Sequence, residues 1–499
     1  MVFQKIFSNL NNLNESKAFF MGDRYYTYAE TRNRVFDIAQ TITKLRPEYN
    51  NIGIITGDDF DAYCALLAAL YLQRPYVPVN RKNPVRRIAD ILTEAGADLV
   101  FCSDVQVASE LTELNLPGVK ILKPGMVFAG TIKGDAFDMK EYDPHQLAYI
   151  LFTSGSTGKP KGVPITYENM GAYLTKMVSD PLFEYSESDR FIQMFELSFD
   201  PHVFSIMVPL YVGATCYVVP DSGVVFHHIF NMLEDHKITV AVLTPSVINF
   251  LRPHFKEIDL PDLRYSMFGG EALHHSVVNG WQRCAPNATI HNWYGPTEAT
   301  VNCMQYTVHA GDTNSVNDNV SIGKPLKNVS AILIDDNDKL IADLNVKGEL
   351  CFNGDQVINN YWHNEIADAN SFMLHPETQK KFYKTGDICF LDEQGNYHFS
   401  NRKDFQVKIN GYRLELAEIE HYARKDVNVN QAVVVKKNNQ EMVLFVETKD
   451  SVFNEDELTS SLKLSLPWYM IPGKIVALRQ MPYNQNMKID RAALLALTL

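Results

Sequence analysis

The sequence is poor in the features that mark several special classes of protein. It has seven cysteines in 499 residues, and no two of them stand at C-x-x-C spacing. An odd number of scattered cysteines disfavours a disulfide framework or a zinc ribbon and indicates buried thiols in a reducing compartment. The longest apolar stretch, near 62–72, is too short to cross a bilayer, and the first residues lack the apolar core of a signal peptide. We therefore expect a soluble cytoplasmic protein.

Positive charge is scarce relative to negative charge. The chain has 46 basic and 59 acidic residues, a formal net charge of -13. Such a surface repels phosphate backbones and anionic lipid, which disfavours nucleic acid or a membrane as the main partner. With 46% hydrophobic and 21% charged residues, the composition is that of an ordinary globular protein. A chain of this length can bury a large core without disulfides or metals.

Short β-branched runs alternate with helix-like stretches along most of the chain. Many of these runs are almost continuously apolar, as strands buried on both faces are. The alternation predicts α/β architecture, with mostly parallel sheets in a large multi-layer N-terminal domain. The predicted strands are 51–56, 97–102, 147–153, 214–219, 238–244 and 329–335, and the predicted helices include 28–45 and 60–73.

The C-terminal part of the chain follows a different pattern. It reads as a hairpin and a charged helix over 399–425, then two strands around a polar turn over 431–449, then a helix and a further strand. This pattern predicts a small α+β unit of its own. We place the boundary within the string NRKD, which divides the chain into residues 1–402 and 403–499.

The sharpest local feature is a buried strand that runs directly into a loop of hydroxyls, glycines and lysines. The loop reads TSGSTGKPKG, from Thr153 to Gly162. Glycines let backbone N–H groups turn toward an anion, and hydroxyls and lysines add donors and positive charge. Pro160 stands where a Walker A loop needs Ser or Thr, and it disfavours a helix that continues from Lys159. The sequence therefore predicts a polyphosphate held by a loop rather than by a helix N-terminus.

This loop resembles the phosphate loop of the adenylate-forming superfamily, which comprises acyl-CoA synthetases, luciferases and the adenylation domains of nonribosomal peptide synthetases. The resemblance covers nearly the full chain and implies a large ATP- and acid-binding domain followed by a mobile C-terminal lid. The other strings that carry it, in the family's order, are FD at 199–200, GGEAL at 269–273, NWYGPTE at 292–298, GEL at 348–350, YKTGD at 383–387, RKDFQVKINGYR at 402–413 and MKIDR at 487–491.

The resemblance implies two half-reactions that use ATP and Mg²⁺. A carboxylate attacks the α-phosphate of ATP, giving an acyl-adenylate and pyrophosphate, and a thiol then displaces AMP. Because the first step brings an anion to an anion, charge neutralisation and in-line placement supply most of the catalysis. The implied catalytic residues are Lys488, which bridges the carboxylate and the α-phosphate, Thr297 beside the α-phosphate, and Glu298 as the magnesium ligand. Met487 stands where the family usually has glycine.

Further nucleotide-binding and hinge residues follow from the same resemblance. Asp387 is implied to hold the ribose hydroxyls, with Arg402 as its partner, and Tyr294 to pack on adenine. Taken alone, an aspartate after KTG would more often be a helix N-cap, but the surrounding YKTGD string favours the ribose role. Asp404 resembles the hinge of the lid, and Gly411 a residue of the thiol tunnel. The remaining implied ATP-binding residues are Thr153, Ser154, Gly155, Ser156, Thr157, Gly158, Lys159, Lys161, Gly270, Glu271, Asn292 and Gly295.

Asp200 is the most informative residue about the substrate. In amino-acid-activating members of the family an aspartate here pairs with the substrate's α-ammonium, and a buried carboxylate needs such a partner. The alternative is a cap on the helix that follows. Bulky side chains predict a short cavity, Gly269 opens one wall, and no second charge appears. We therefore expect a neutral, small-to-medium amino acid, in a pocket lined by Asp200, Phe204, Met267, Gly269, Trp293, Val301 and Asn302.

Three readings of the whole chain stay open at this point. The first reading is an amino-acid adenylating ligase that charges a carrier protein. Within this class the chain is similar to D-alanine–carrier protein ligases, although that subfamily usually has cysteine in place of Gly269. A coenzyme A ligase for a small acid is the second reading, and a catalytically inactive nucleotide-binding protein is the third. Only eleven residues follow Lys488, which predicts a free-standing enzyme, by default a monomer, that charges the phosphopantetheine thiol of a separate carrier. The candidate docking cations are Arg402, Lys403, Lys408 and Arg413.

Overall fold

In the computed structural model of the protein, contacts divide the chain into two compact units. The large unit comprises Met1–Asn80, Leu92–Leu151 and Gly162–Lys403, and the small unit comprises Arg81–Ile91, Phe152–Lys161 and Asp404–Leu499. The structure describes residues 2–46, 48, 51–57, 59–128, 137, 141–155, 160–309, 312, 315–316, 318–403, 406–409, 411–438, 441–448, 453–483 and 489–498.

The helices fall in both units and several carry N-terminal caps. Helix α2 begins after Thr27, whose hydroxyl accepts from the Glu30 N–H while the Glu30 carboxylate bonds back to the Thr27 N–H. The helices are α1 Val2–Asn12, α2 Tyr28–Leu45, α3 Phe60–Tyr71, α4 Val85–Glu94, α5 Val105–Glu113, α6 Tyr167–Ser179, α7 His202–Val212, α8 Val225–Asp235, α9 Pro245–Leu251, α10 His275–Cys284, α11 Glu365–Ser371, α12 Leu416–Ala423, α13 Glu455–Lys463 and α14 Arg491–Ala496.

Most strands are short and apolar. They are β1 Lys17–Met21, β2 Arg24–Thr27, β3 Asn51–Thr56, β4 Tyr76–Asn80, β5 Ala97–Cys102, β6 Lys120–Leu122, β7 Leu147–Thr153, β8 Lys161–Thr166, β9 Arg190–Gln193, β10 Thr215–Val218, β11 Val240–Leu243, β12 Tyr265–Phe268, β13 Thr289–Tyr294, β14 Met304–Val308, β15 Ser315–Val316, β16 Asn319–Val320, β17 Lys324–Pro325, β18 Val329–Ile334, β19 Leu340–Ile341, β20 Gly348–Gly354, β21 Phe372–Leu374, β22 Lys381–Leu391, β23 Tyr397–Arg402, β24 Gln406–Ile409, β25 Tyr412–Glu415, β26 Val429–Lys436, β27 Met442–Thr448 and β28 Lys474–Leu478.

Two sheets of the large unit carry the parallel pairing that the sequence predicts. One has the order β6-β5-β3-β4-β7-β8, and the pairs around β3, β4 and β5 are parallel. The other has nine strands in the order β17-β14-β13-β12-β11-β9-β10-β1-β2 and is parallel from β13 to β1. Helix α7 is apolar on all sides and almost completely buried, as a helix inside a large core must be. The α/β prediction is confirmed.

A third sheet of the large unit is antiparallel. Its order is β19-β18-β20-β22-β21, with β23 on β22. The predicted strand 329–335 belongs to this antiparallel sheet, as β18, and not to a parallel sheet. Its residues differ in exposure along the strand, as is common in antiparallel sheets. Among the described residues no helix is both long and apolar enough to cross a membrane.

The small unit contains the hairpin and the α+β pattern predicted for the C-terminal part. Strands β24 and β25 form the hairpin, and β26, β27 and β28 form a three-stranded sheet packed by α12 and α13. The unit also takes in Arg81–Ile91 and Phe152–Lys161. Arg87 and Glu418 form a buried ion pair at 2.7 Å, and the Ser154 hydroxyl donates to the Arg413 carbonyl at 3.1 Å. This grouping has no counterpart in the sequence prediction, and the boundary 402/403 stays a prediction.

Candidate active site

Asp387 and Arg402 lie opposite each other on the neighbouring strands β22 and β23. The Arg402 Nη1 donates to Asp387 Oδ1 at 2.6 Å, and the Tyr294 hydroxyl donates to Asp387 Oδ2. Burial and the Asp387 charge raise the pKa of Tyr294 well above its usual value. The aspartate is therefore a strand residue held from two sides, not a helix N-cap.

The segment after Tyr294 turns back tightly on itself. A Cβ at Gly295 would lie 2.6 Å from both the Asn302 Cα and the Val301 carbonyl oxygen. The Cys303 N–H also donates to the Tyr294 carbonyl at 2.9 Å. Only glycine allows this approach, so the string WYGPTE brings the end of β13 against residues 301–303.

Glu298 is completely buried within this turn. Its Oε1 accepts a hydrogen bond from the Tyr361 hydroxyl at 2.7 Å, and its carbonyl accepts from the Ile358 N–H at 2.9 Å. A buried carboxylate of fixed orientation fits magnesium, which binds oxygen ligands and commonly takes only one or two carboxylates beside phosphate oxygens and water. Thr297 opens the short 3₁₀ helix that carries Glu298.

Two consecutive β-branched residues follow in the left-handed region. Thr300 has φ +52° and Val301 has φ +69°. Side chains branched at Cβ rarely adopt this conformation, and each such residue costs about 1–3 kcal/mol. Strain of this kind persists only where neighbouring contacts impose it. Here the side-chain amide of Gln356, fully buried, donates to the carbonyls of Ala299 and Asn302, both at 2.8 Å.

Asp200 lies at the start of the pocket that the sequence predicts. Its Oδ2 accepts from the Val301 N–H at 3.2 Å. Burial foremost, and the Asp200 charge in addition, raise the pKa of Tyr149 and of Tyr173 well above the usual value. Helix α7 begins at His202, and no side-chain hydrogen bond caps it at Pro201. The carboxylate thus contacts the strained segment from a position about a hundred residues earlier in the chain.

The structure brings several of the predicted pocket residues into contact, while their role in binding a substrate stays a prediction. Phe204 and Trp293 meet edge to face, with ring centroids 5.0 Å apart, and Asn302 Oδ1 accepts from the Tyr173 hydroxyl at 3.0 Å. Met267 is buried on β12. Gly269 was expected to widen one side of the pocket. Its missing side chain leaves room for the backbone of Trp293, because a Cβ at Gly269 would lie 3.2 Å from the Trp293 carbonyl oxygen.

Three predicted ATP-binding residues of the large unit have a defined local structure: one has a left-handed backbone and two form side-chain hydrogen bonds. Gly270 has φ +85°, which favours glycine. The Glu271 carboxylate accepts from the Ser246 N–H at 2.9 Å, at the start of α9. Asn292 Nδ2 donates to the Ser321 carbonyl at 2.9 Å. These contacts fix the ends of β12 and β13, where the resemblance places the nucleotide.

In the small unit the described part of the phosphate loop is attached to the hairpin. The Ser154 hydroxyl accepts from the Glu415 N–H at 3.2 Å in addition to its bond to Arg413. Thr153 Oγ1 lies 3.5 Å from the Lys161 carbonyl. Gly411, with φ +85°, turns the hairpin between β24 and β25. The predicted site residues that fall outside the described residues are Ser156, Thr157, Gly158, Lys159, Asp404 and Lys488.

Two of the four cations proposed for carrier docking belong to the large unit and have acidic partners. Arg402 bonds to Asp387, and the Lys403 Nζ lies 3.3 Å from Glu349 and 3.2 Å from Asp336. Their positive charge is therefore matched locally, which weakens the expectation that they dock an acidic carrier. Arg413 donates to the side chain of Gln406 at 2.8 Å, within the hairpin.

Comparison with known proteins identifies the family. The family model for AMP-binding enzymes matches residues 7–362. The D-alanine–D-alanyl carrier protein ligase of Lactiplantibacillus plantarum is 30% identical over 480 residues, which cover 93% of this chain and 92% of that ligase. The structure of the Vibrio cholerae adenylation domain AlmE in complex with glycyl-adenosine-5'-phosphate matches with a TM-score of 0.87 at 25% identity, covering 100% of this chain and 98% of AlmE.

The chain belongs to the AMP-binding enzyme family. It is an adenylate-forming ligase of the type found in nonribosomal peptide synthetase adenylation domains and carrier-protein ligases. Gramicidin S synthase 2 of Brevibacillus brevis is 30% identical over 95% of this chain, and the chain spans 10% of that protein's length.

Sequence reasoning did not find three side chains that hold the site together. They are Tyr173, Gln356 and Tyr361, which contact Asn302, the 299–302 segment and Glu298 respectively. Each lies far along the chain from its partner, and none belongs to a string with an evident chemical meaning. Only the tertiary contacts identify them.

Proposed function

We propose that the protein activates a neutral, small-to-medium amino acid with ATP and Mg²⁺ and transfers it to the phosphopantetheine thiol of a separate carrier protein. In the first step a carboxylate oxygen of the amino acid forms a bond to the α-phosphorus, and pyrophosphate leaves. In the second step the thiol sulfur attacks the acyl carbon, AMP leaves, and the thiol proton passes to solvent.

The observation that carries the proposal is the buried carboxylate of Asp200. It is 9% exposed and accepts a hydrogen bond from the Val301 N–H at 3.2 Å. An α-ammonium in the pocket would meet this charge where the dielectric constant is low, so their attraction is stronger than in water. A fatty or aryl acid has no group that uses such a carboxylate.

The remaining groups have roles that fit the same reaction. Asp387, held by Arg402 and Tyr294, offers carboxylate oxygens to the ribose hydroxyls. Glu298 would hold magnesium, which lowers the repulsion between the two anions when it is bound. Phe204 and Trp293 limit the length of the side chain. Lys488 is proposed, from its motif, to bind the carboxylate and the α-phosphate.

The relatives support a small substrate and a carrier. One relative is, by its name, a D-alanine–D-alanyl carrier protein ligase, and AlmE was solved with glycyl-adenosine-5'-phosphate. D-alanine and glycine are both small amino acids with an uncharged side chain. Because the ligase matches this chain over 92% of its own length, D-alanine–carrier protein ligase is the second candidate function.

Amino-acid-dependent ATP–pyrophosphate exchange tests the first step. The panel contains the twenty L-amino acids, D-alanine, β-alanine and simple aliphatic acids, so it also separates the two candidates. We expect one neutral amino acid to dominate. In Asp200→Asn the KM for that amino acid should rise about 10- to 100-fold, because a charge-assisted contact of about 1.5–3 kcal/mol is lost.

The control is Asp189→Asn, which neutralises another buried carboxylate, one that pairs with Arg264 at 2.7 Å. It should lower stability without a selective rise in the KM for the amino acid. Full exchange by Asp200→Asn, or a preference for acids without an amine, would contradict amino-acid activation and favour activation of a plain carboxylic acid. The enzyme that holds the aminoacyl adenylate is then incubated with a phosphopantetheinylated carrier or with coenzyme A, which identifies the acceptor.

A further inference from the structure

We infer that Gln356 is a positioning residue of the amino-acid pocket: its side-chain amide holds residues 299–302 in the strained conformation that presents the Val301 N–H to Asp200. This inference rests on the proposed amino-acid activation. Gln356 lies on the turn after β20, and sequence reasoning assigned it no role.

The hydrogen bonds of Gln356 surround the strained residues on both sides. Its Nε2 donates to the carbonyls of Ala299 and Asn302, both at 2.8 Å, so one amide joins the two ends of the segment. Its backbone carbonyl accepts from the Thr300 hydroxyl at 2.6 Å. Thr300 and Gln356 are both completely buried, so water cannot replace these bonds. The left-handed conformation of Thr300 and Val301 is therefore imposed by Gln356.

Gln356 is itself held in place by helix α6. The Asn169 side chain, near the start of that helix, donates to the Asp355 carbonyl at 2.8 Å and to the Val357 carbonyl at 3.4 Å. The same helix carries Tyr173, which bonds to Asn302 at 3.0 Å. Helix α6 thus fixes the pocket segment twice, once directly and once through the turn that bears Gln356.

Glu298, which precedes the segment, has two contacts that do not use the Gln356 side chain. Glu298 is held by the Tyr361 hydroxyl and by the Ile358 N–H. Loss of the Gln356 amide should therefore displace Val301 and Asn302 while Glu298 keeps its place. For this reason the geometry predicts an effect on the amino acid rather than on the nucleotide.

The test is a comparison of KM values in Gln356→Met, which has the same length but no hydrogen-bond donors. We expect the KM for the preferred acid to rise at least tenfold, while the KM for ATP changes less than twofold. The matched control is Gln282→Met. Gln282 lies on helix α10, and its Nε2 also joins two carbonyls, those of Ala285 and Ala288 just after that helix. This control should leave both KM values unchanged.

A second background tests whether the Gln356 amide acts by restraining the left-handed backbone of Val301. Glycine enters the left-handed region without strain, so Val301→Gly reduces the need for an external restraint. The rise in KM caused by Gln356→Met should be several-fold smaller in the Val301→Gly background than in the parent. An equal rise in both backgrounds, or an equal rise in the KM for ATP and for the acid, would overturn the inference.

The substrate for these measurements is whichever carboxylic acid the unmodified enzyme uses in the exchange panel. If that acid has no amine, the proposed function fails, yet the KM comparison still reports on Gln356. If an amino acid is used but Gln356→Met keeps both KM values, the proposed function stands and the role of Gln356 is refuted.

Discussion

The Arg402 guanidinium lies 2.6 Å from the Asp387 carboxylate, directly across two paired strands. Both side chains are mostly buried, with 18% and 12% of their surfaces exposed. Removing one partner of a buried pair leaves the other charge without compensation, which costs about 3–5 kcal/mol in fully buried cases. Arginine thus fixes the carboxylate in the position from which it would bind the ribose.

We expect Arg402→Met to weaken ATP binding at least tenfold, since Asp387 then loses its fixed orientation. Isothermal titration with ATP measures the affinity, and urea unfolding measures the stability. Arg264→Met is the control because it breaks an ion pair of similar length, to Asp189 at 2.7 Å, outside the candidate site. Equal ATP affinity in the two variants would show that Asp387 is not part of the nucleotide site.

Tyr361 should determine how well Glu298 holds magnesium. In Tyr361→Phe the buried carboxylate loses the donor at 2.7 Å that orients it. Because residues that orient metal ligands commonly change metal affinity by about 10–100-fold, the Mg²⁺ concentration for half-maximal exchange should rise. Tyr397→Phe is the matched control, since it removes a tyrosine bond to the Ala331 carbonyl at 3.1 Å. Identical magnesium curves for both variants would exclude this role.

Two buried histidines predict a loss of stability in mild acid. Burial lowers the pKa of His202 and of His291 to about 4, from 6.5 in the unfolded chain. The His202 Nδ1 donates to the Phe199 carbonyl at 2.7 Å. In the neutral ring that burial favours, its Nε2 accepts from the Tyr76 hydroxyl at 2.8 Å.

The unfolded chain therefore binds more protons than the folded chain between pH 6.5 and 4. The stabilisation from each neutral histidine is complete above about pH 6.5 and is lost as the pH falls toward about 4, by about 3 kcal/mol per histidine at most. Urea unfolding at several pH values in this window measures the slope. His202→Gln should reduce that slope, and an unchanged slope would mean that His202 does not carry the effect.

This chain has glycine at position 269, where D-alanine–carrier protein ligases are expected to have cysteine. A Cβ there would lie 3.2 Å from the Trp293 carbonyl oxygen and 3.8 Å from its Cβ. We expect Gly269→Cys to destabilise the protein by about 1–3 kcal/mol through overpacking, and Gly269→Ala by less. Thermal unfolding measures the loss, and the exchange panel shows whether the preferred amino acid changes. A fully stable cysteine variant would mean that the ends of β12 and β13 separate easily.

Local pattern was sufficient for many elements because their signals are short-range. Helix α2 has the predicted bounds, 28–45, and strands β5 and β7 also match their predicted ranges. Apolar periodicity and the cap formed by Thr27 determine such segments without reference to distant residues. The composition of the small unit was not predictable in this way, since the pair Arg87–Glu418 joins residues 331 apart.

The site shows the same division between motif and tertiary structure. The strings around Asp200, Glu298 and Asp387 mark their positions, but nothing near them indicates Tyr361 or Gln356, which lie 63 and 57 residues from the groups they contact. Thr300 and Val301 are β-branched, so sequence favours extended backbone there. Tertiary hydrogen bonds override that preference, and no local rule could have shown it.

The close approach at Gly295 has a consequence for changing what the enzyme accepts. This glycine lies between the tyrosine that holds Asp387 and the residues that line the acid pocket. In the proposed site, recognition of the nucleotide and recognition of the acid would therefore be coupled through this one backbone contact. Redesign of substrate choice should begin at Phe204 and Met267, whose side chains come from separate elements, and should leave the backbone of 295–302 as it is.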